Sequence, residues 1–464
     1  MKKAIVALLV AAMTFGLVAC AQTGAAPAAA EPAAAESAGE STEAAETSAA
    51  PAASTNGNIP TIRFAYNWSG TDTSQHIEFE KRVKDYQEAH KDEVNLVLEV
   101  SLDLSLQDKI KVDLAADDLP DLFLYWGGMS NVGTMIENDK IVDVDTYCSV
   151  STELEKDMWP ESTFMDSTVG DKSYMFPIET FKWFTIYNKG LYDEFGLEIP
   201  KTYDDFKKCA EVFNENGIVP ICVGSAGGEY GHVFYNQVLY QLEGGVADTR
   251  DLNVDCEFES AATQKAAEYI DEMRDLNMFP SDTIAAGGAS YTLLYTQRKA
   301  SMMICAPWLL DELDPNVLEE TVIAPFFSLP DATVMPETFN MGSVSEGLCI
   351  SKASFDDPAK QEQVVKFADY ILSDDTFNAM AATNTMPAKE IEVDPSVLNP
   401  WMAKAIDATN GQETYQPLWF LLPNTETSTT YLDSLDELFA GSIHADEFIE
   451  KVQAAFDEAK AEMN

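Results

Sequence analysis

The stretch over residues 173–206 reads SYMFPIETFKWFTIYNKGLYDEFGLEIPKTYDDF, and the rest of the chain can be interpreted outward from it. One apolar, aromatic run ends at Pro177, and a second run covers residues 183–187. Two short β-type runs with a polar break between them are typical of a chain that leaves one sheet and enters another. The break holds Glu179 and Phe181, followed by Trp183. If two lobes meet there, we expect these groups to face the cleft between them.

The chain before this stretch alternates strand and helix patterns. We predict a strand over 61–66, a helix over 74–90, a strand over 94–100, a helix whose apolar face carries Leu106, Ile110 and Leu114, and a strand ending at Trp126. In the first helix, Ile77, Val83 and Tyr86 are predicted to face inward. This alternation predicts a mainly parallel α/β lobe. Trp126 would then stand at the carboxyl end of a strand, where ligands bind in open α/β sheets.

The chain after this stretch continues with helix and strand patterns. Thr202 and Asp205 form a capping-box pattern before a predicted helix that ends near residue 216. Further predictions are a strand over 218–223, a helix opened by the glycines of 227–231, a helix over 260–276, a strand over 300–305 and helices over 435–463. Asp357 and Pro358 predict another helix start. The glycines of 227–231 lack the Gly-Lys-Ser/Thr of a phosphate loop.

Two blocks of sequence carry a family resemblance. Tyr174 and Pro177 precede the polar break, and Tyr-Asn-Lys (187–189), Leu-Tyr (191–192) and Pro-Lys-Thr-Tyr-Asp-Asp-Phe (200–206) follow it. In residues 299–308, a hydrophobic strand with Ala-x-Met leads to Ala-Pro-Trp. The blocks resemble the extracellular solute-binding proteins of ABC sugar importers, family 1, of the maltose and multiple-sugar-binding type. Residues 386–388 resemble the short Pro-containing turn of these proteins. The resemblance covers nearly all of residues 59–464.

The resemblance implies an α/β, two-lobed periplasmic-binding-protein-like fold of type II, with mixed, mainly parallel sheets, flanking helices and a hinge. The first lobe would comprise residues 59–178 and 342–395, and the second would comprise 179–341 and 396–464. The chain would cross between lobes near 177–183, 338–346 and 395–425. A ligand bound in the cleft would select the closed form by hinge closure.

Sugar rings offer apolar C–H faces and a rim of hydroxyl groups, which suit indole rings and polar groups respectively. We therefore nominate as stacking platforms Trp68, Trp126, Trp183, Trp308 and Trp419. In the resembling proteins, the tryptophan at the position of Trp308 commonly stacks on sugar. The polar candidates are Asn67, Glu179, Tyr230 and Ser343.

The amino terminus predicts export and anchoring. A basic start is followed by an apolar run over residues 4–18, which is about the length of a signal-peptide core. The sequence Leu-Val-Ala-Cys at 17–20 resembles a bacterial lipoprotein box, so residues 1–19 are interpreted as a signal peptide and Cys20 as the lipidation site. An ordinary signal peptide with a chance cysteine is the alternative. Residues 20–58 are predicted to be a disordered, acidic Ala/Glu-rich linker.

Composition limits the partners. The formal charge of −49, from 78 acidic and 29 basic residues, argues against nucleic acid and anionic lipid surfaces. No second apolar span follows the first, so only the lipid anchor is expected to contact the membrane. Six further cysteines show no C-x-x-C spacing and are interpreted as buried free thiols, with one disulfide left open: Cys148, Cys209, Cys222, Cys256, Cys305 and Cys349.

The resulting hypothesis is a monomeric, lipid-anchored protein on the extracellular face of the cell membrane. It would bind a mono- or oligosaccharide and deliver it to the permease subunits of an ABC importer, with no catalytic residues, cofactor or metal. Peptides remain an alternative ligand. A secreted carbohydrate-active enzyme is an alternative function, although no nucleophile elbow or H-E-x-x-H motif is present. A ligand-binding subunit of a surface sensor kinase is another.

Overall fold

The structure is a computed structural model that describes residues 59–68, 73–102, 105–228, 230–287, 290–392, Ser396 and 398–463. The predicted signal peptide, the linker and Cys20 lie outside the described residues. Within the described residues, no helix combines the length and the apolar character needed to cross a membrane.

The strands confirm the predicted alternation at the start of the folded region. They are β1 (Thr61–Tyr66), β2 (Asn95–Val100), β3 (Leu122–Trp126), β4 (Thr168–Val169), β5 (Lys172–Ser173), β6 (Phe176–Pro177), β7 (Glu179–Lys182), β8 (Phe184–Asn188), β9 (Val219–Cys222), β10 (Ala300–Cys305), β11 (Thr321–Ile323), β12 (Phe339–Val344), β13 (Glu346–Ile350), β14 (Met386–Pro387) and β15 (Glu413–Tyr415).

The helices include those that apolar periodicity predicted, together with several that were not predicted. They are α1 (Ser74–Ala89), α2 (Ser105–Ala115), α3 (Met129–Glu137), α4 (Val144–Cys148), α5 (Lys189–Glu194), α6 (Tyr203–Glu215), α7 (Gly231–Leu239), α8 (Leu252–Asp255), α9 (Ala261–Asp275), α10 (Ser290–Thr296), α11 (Pro315–Glu319), α12 (Lys352–Phe355), α13 (Gln361–Ile371), α14 (Asp374–Ala381), α15 (Pro400–Thr409), α16 (Thr425–Ala440) and α17 (Ala445–Met463). Short 3-10 helices cover Lys156–Met158, Glu161–Ser167, Ala226–Gly228, Pro307–Glu312 and Leu418–Leu421.

The first sheet contains the predicted β-α-β-α-β segment. Its strand order is β2-β1-β3-β13-β6. Strand β1 runs parallel to β2 and β3, as expected for strands joined through helices. Strand β13 returns from much later in the sequence and runs antiparallel to β3 and β6, so the sheet is mixed.

Two further sheets involve the strands that follow Pro177. One has the order β11-β8-β10-β9, with β8 antiparallel to both neighbours and β10 parallel to β9. The other has the order β14-β7-β12-β15 and joins short segments from distant parts of the chain. The predicted polar break between two β runs is therefore itself a strand, β7. A short strand with one buried and one half-buried side can carry polar residues on alternate positions.

The buried hydrophobic side chains fall into separate clusters. One cluster draws on residues between 181 and 341 and between 402 and 459. The other two draw on residues between 62 and 178 and between 344 and 388. The chain therefore passes from one set of cores to the other between Ile178 and Phe181, and again between Met341 and Val344.

The buried face of helix α1 differs from the predicted one. Val83 and Tyr86 are buried as expected, but Ile77 is 50 % exposed. The buried face instead begins with Gln75 and Phe79. Ile77 lies two residues from each of them, which is about 200° around a helix, so it must face solvent.

Two other local predictions are wrong. Asp357 does not cap α13, which begins at Gln361. Its carboxylate accepts a hydrogen bond from the backbone N–H of Ala359 at 2.9 Å, so it stabilises a tight turn before the helix. Residues 386–388 were expected to form a turn, but Met386 and Pro387 pair with β7. Proline is tolerated there because β14 is an edge strand.

The predicted cap of α6 is confirmed. The Thr202 hydroxyl accepts from the backbone N–H of Asp205 at 3.2 Å at the start of α6. Gly441 ends α16 with φ +72°, a conformation that favours glycine. In the described part of the chain, the six cysteines are free, and all except the half-buried Cys148 are buried.

Candidate ligand-binding site

Strand β7 places a carboxylate and an aromatic ring side by side. Its residues alternate, with Glu179 and Phe181 buried and Thr180 and Lys182 half-buried. Residues two apart in a strand point to the same side. Glu179 therefore shares its side of the strand with Phe181, at the point where the chain passes between the hydrophobic cores.

Four buried polar side chains surround this point, and we call them the polar cluster: Asn67, Gln75, Glu179 and Glu346. The Asn67 amide Nδ2 donates to Glu346 Oε1 at 3.2 Å. The Gln75 amide Nε2 donates to Glu179 Oε2 at 3.3 Å. Glu179 is fully buried, with 0 % exposure. Side chains from α1, β7, β13 and the residue directly after β1 thus meet at one place.

Both carboxylates of the polar cluster are held away from water. Burial raises the pKa of Glu179 well above its usual value, and the nearby Glu346 carboxylate raises it further. Burial also raises the pKa of Glu346, although hydrogen bonds from Ser345, Asn67 and Trp68 oppose this shift. Burial therefore makes the charge of each carboxylate less stable than it would be in water, and a further donor or a cation would stabilise it.

Three oxygen atoms in the polar cluster lack a hydrogen-bond partner among the described residues. They are Asn67 Oδ1, Gln75 Oε1 and Glu179 Oε1. A buried acceptor without a donor costs about 1–3 kcal/mol. Because all three are acceptors, the group can bind a donor-rich ligand or ordered water.

Aromatic rings lie next to this polar cluster, and we call them the aromatic cluster: Phe181, Trp183, Tyr230, Trp308 and Phe420. The Trp308 ring lies 5.5 Å from Phe181 and 5.4 Å from Trp183, both at steep angles. The Tyr230 ring lies 6.1 Å from Trp183, and the Phe420 ring lies 6.1 Å from Phe181. Edge-to-face packing of this kind turns ring faces in several directions.

A third buried carboxylate, Asp166, joins three distant segments near the same place. Its Oδ2 accepts from the Ser343 hydroxyl and, at 3.3 Å, from the backbone N–H of Val344. Its Oδ1 accepts from the Gln416 amide. Burial raises the pKa of Asp166 to about 6 in spite of these donors.

The predicted site residues occupy different positions around this point. Trp183, Tyr230 and Trp308 lie together in the aromatic cluster, and Trp419 lies at its edge, 5.0 Å from Phe420. Trp126 is half-buried and is the strand partner of Glu346, so their side chains share one face of the first sheet.

Two predicted residues lie behind these groups. Trp68 is only 1 % exposed, and its ring stacks on His76 at 5.5 Å within the core. The Trp68 ring therefore belongs to the core, and its indole N–H donates a hydrogen bond to Glu346 of the polar cluster. Ser343 is occupied by its hydrogen bond to Asp166.

Sequence reasoning missed four residues: Gln75, Asp166, Asp311 and Glu346. Glu346 carried the same signal as Glu179, because it is a lone acid within a predicted crossing. Gln75 and Asp166 carried no local signal. Asp311 follows the Trp308 block, and its carboxylate Oδ2 accepts from the Ser74 backbone N–H at 2.8 Å and hydroxyl at 2.7 Å.

A cavity of about 240 Å³ lies beside Trp183, lined also by Gln237, Phe326 and Phe339. It is slightly smaller than a typical small-molecule pocket. Within the described residues, no group of three or more His, Cys, Asp or Glu side chains is placed to hold a metal ion.

The chain matches one known protein family. The family model for bacterial extracellular solute-binding proteins matches residues 73–376, well over half of the sequence. Comparison with curated proteins gives no match.

Solved structures show the same fold. One comes from work on xylan utilization by Caldanaerobius polysaccharolyticus, with a TM-score of 0.74 and 21 % identity over 85 % of this chain and 99 % of that one. A chitin oligosaccharide binding protein has a TM-score of 0.72 and 17 % identity over 86 % and 100 %. MalE3 of T. maritima, solved with maltose bound, has a TM-score of 0.66 and 16 % identity over 86 % and 99 %. At these identities the likeness establishes the two-lobed, periplasmic-binding-protein-like α/β fold alone.

Proposed function

The chain belongs to the bacterial extracellular solute-binding proteins, and from this premise we propose that it captures a mono- or oligosaccharide between its lobes. It would then pass the sugar to the permease subunits of an ABC importer. It would do so as a binding protein rather than as an enzyme, and without a cofactor.

One observation carries the sugar assignment. Glu179 and Phe181 lie on the same buried side of β7, and this joins the polar cluster to the aromatic cluster. A pyranose needs ring faces for its C–H groups and hydrogen-bonding groups for its hydroxyls. The unpaired acceptors and the differently oriented rings supply both, and Glu179 and Phe181 of β7 contribute one group to each set.

We further propose how the nominated residues divide the work. Trp126, Trp183, Tyr230, Trp308 and Trp419 would contact the ligand, as would the polar side chains of Asn67 and Glu179. Trp68 and Ser343 would act indirectly, because each donates to a buried carboxylate, Glu346 and Asp166 respectively.

The lobes proposed here are residues 59–178 with 342–395, and residues 179–341 with 396–464. The separate hydrophobic clusters support this division, since their members change between Ile178 and Phe181 and between Met341 and Val344. Crossings near 177–183, 338–346 and 395–425 would form the hinge. Ligand binding would favour the closed arrangement.

The amino-terminal sequence supports the proposed location. A signal peptide over 1–19, a lipid on Cys20 and an acidic linker over 20–58 would hold a monomeric binding domain outside the membrane. Detection of a labelled fatty acid on the purified protein, and its loss in Cys20→Ala, would test the anchor.

A titration of the purified full chain with mono- and oligosaccharides tests the function. A sugar at about 100 times its dissociation constant should stabilise the fold by about 2.7 kcal/mol, a measurable rise in melting temperature. Chromatography should show no products. Product formation would favour an enzyme, and a panel of silent sugars with a peptide hit would contradict the sugar assignment.

A matched pair of tryptophan variants locates the site. Trp308→Ala removes a ring of the aromatic cluster and is expected to weaken sugar binding at least tenfold by calorimetry. Trp401→Ala removes another half-buried tryptophan, which lies against Lys404 on α15, and should leave affinity unchanged. Equal effects of the two variants would remove the aromatic cluster from the binding site.

A further inference from the structure

We propose that the polar cluster is a subsite for a protonated primary amine, so that the preferred ligand is an amino sugar. This inference rests on the proposed function, because it names the ligand class of the same cleft. It is carried by the three unpaired acceptors, by the buried carboxylates and by the adjoining rings.

The orientation of the two amides fixes the subsite as an acceptor site. Asn67 and Gln75 each turn their nitrogen toward a carboxylate, Glu346 and Glu179 respectively. Turning either amide around would bring two acceptor oxygens together. The amide oxygens are therefore the atoms left over, and they remain unpaired together with Glu179 Oε1.

A protonated amine matches this set of atoms better than a hydroxyl. An ammonium group has three donors and no acceptor, whereas a hydroxyl has one donor. Three unpaired acceptors in one group therefore correspond in number to one ammonium group. A sugar hydroxyl would satisfy one acceptor and leave the others to a second group or to water.

Charge points in the same direction. In the described part of the chain, no Lys, Arg or His forms an ion pair with Glu179 or Glu346. Lys182 is on the other side of β7 from Glu179. A buried carboxylate without a cation is costly, and a bound ammonium would supply the missing charge.

The aromatic rings add to the preference. Phe181 lies on the same side of β7 as Glu179, and the rings of Trp183 and Trp308 pack against the ring of Phe181. A cation near a tryptophan face gains about 0.5–2 kcal/mol. The net charge of −49 would also draw a cationic ligand toward the protein.

The test compares ligands that differ only at carbon 2. The full chain is titrated by calorimetry with glucosamine, N-acetylglucosamine and glucose, and with the β-1,4 disaccharides of each. Among the monosaccharides, the disaccharides or both, the amino sugar should bind about tenfold more tightly than its acetylated and hydroxyl counterparts. Putrescine, an amine without a sugar ring, should bind more weakly than the amino sugar.

Two variants with the same change of charge sharpen the test. Glu179→Gln keeps the shape of the side chain and should reduce the preference for the amine over the hydroxyl sugar about tenfold. Asp314→Asn removes a carboxylate that lies outside the polar cluster and accepts from the backbone N–H of Asn316 at the start of α11, and it should leave that preference unchanged. Circular dichroism establishes that both variants are folded.

The possible failures are distinguishable. Equal or tighter binding of the neutral sugars overturns the amine inference and leaves the sugar-binding function standing. Tight binding of putrescine without any saccharide overturns the sugar assignment and leaves the amine subsite standing. Absence of binding by every amine in the panel overturns the inference, as does an unchanged preference in Glu179→Gln.

Discussion

The buried carboxylate of Asp166 shows how much a single residue contributes to the joining of distant segments. It accepts hydrogen bonds from Ser343, Val344 and Gln416, yet its pKa is raised to about 6 because burial outweighs these donors. An acid whose folded pKa exceeds its unfolded pKa binds a proton more tightly in the native state. Its contribution to stability is therefore present at low pH and is lost as pH rises through the folded pKa.

We predict that Asp166→Asn changes the pH dependence of stability. Between about pH 4 and pH 6, the wild-type chain should lose roughly 2–3 kcal/mol from this group, while the asparagine variant should not. Asparagine can still accept from Ser343 and Val344. Denaturant unfolding at several pH values measures the difference, and parallel curves for the two proteins would contradict the prediction.

The polar cluster also shows what single residues reveal in a sequence. Glu179 was predictable because it stands within a polar break between two β runs. The contacts within the cluster were not predictable, since Gln75 is 104 positions from Glu179 and the bond from Asn67 to Glu346 spans 279 positions. Periodicity reports which face of an element is buried, and it carries no information about which distant side chain meets it.

At the scale of elements, helix α1 and the 3-10 helix Pro307–Glu312 meet at a charged contact. The Asp311 carboxylate accepts from the Ser74 N–H at 2.8 Å and from the Asn384 amide at 2.5 Å. An anion at a helix amino terminus is stabilised by the unpaired N–H groups and the helix dipole. Under the lobe division proposed above, Asp311 belongs to one lobe and its partners to the other, so the contact favours the closed form.

We predict that Asp311→Asn weakens all ligands by a similar factor. Loss of a charge-assisted contact of about 1–2 kcal/mol should lower every affinity about 5- to 30-fold, because closure is coupled to binding. The measurement is calorimetric titration with a bound sugar.

The control for this contact is Asp314→Asn, which alters the capping residue of α11 nearby. Asp314 accepts from the Asn316 backbone N–H within its own segment. It should change stability slightly and affinity little. A larger loss of affinity in Asp314→Asn than in Asp311→Asn would exclude a closing role for Asp311.

The elements themselves were largely predictable. The strands over 61–66 and 300–305 were predicted with the bounds that the structure has, because both segments are mainly apolar and a proline lies close to one end of each. The start of α13 was misplaced because Asp357 and Pro358 satisfy the rules for a helix start and for a turn equally well. Ile77 was misplaced because Gln75, a polar residue, takes the buried position through its bond to Glu179.

At the scale of the whole molecule, the family pattern was predictable and the assembled site was not. The motifs of residues 173–206 indicated the two-lobed fold, because they lie where the chain passes from one sheet to the next. The site depends on β13 returning beside β3 after more than two hundred residues. Only the pairing of β13 with β3 brings Glu346 next to Trp126.

The net charge of −49 affects the molecule as a whole. Most of this charge is solvated, and like charges at these densities repel one another and destabilise the compact state. Salt shortens the Debye length from about 30 Å at 0.01 M to about 8 Å at 0.15 M, which screens distant pairs more than contacting ones.

We therefore predict that the melting temperature rises when sodium chloride is increased over this range. Surface ion pairs such as Lys81–Glu78 are weakened by salt but contribute little. Calorimetric melting at both concentrations measures the change. A falling melting temperature would mean that local ion pairs stabilise the chain more than its overall charge destabilises it.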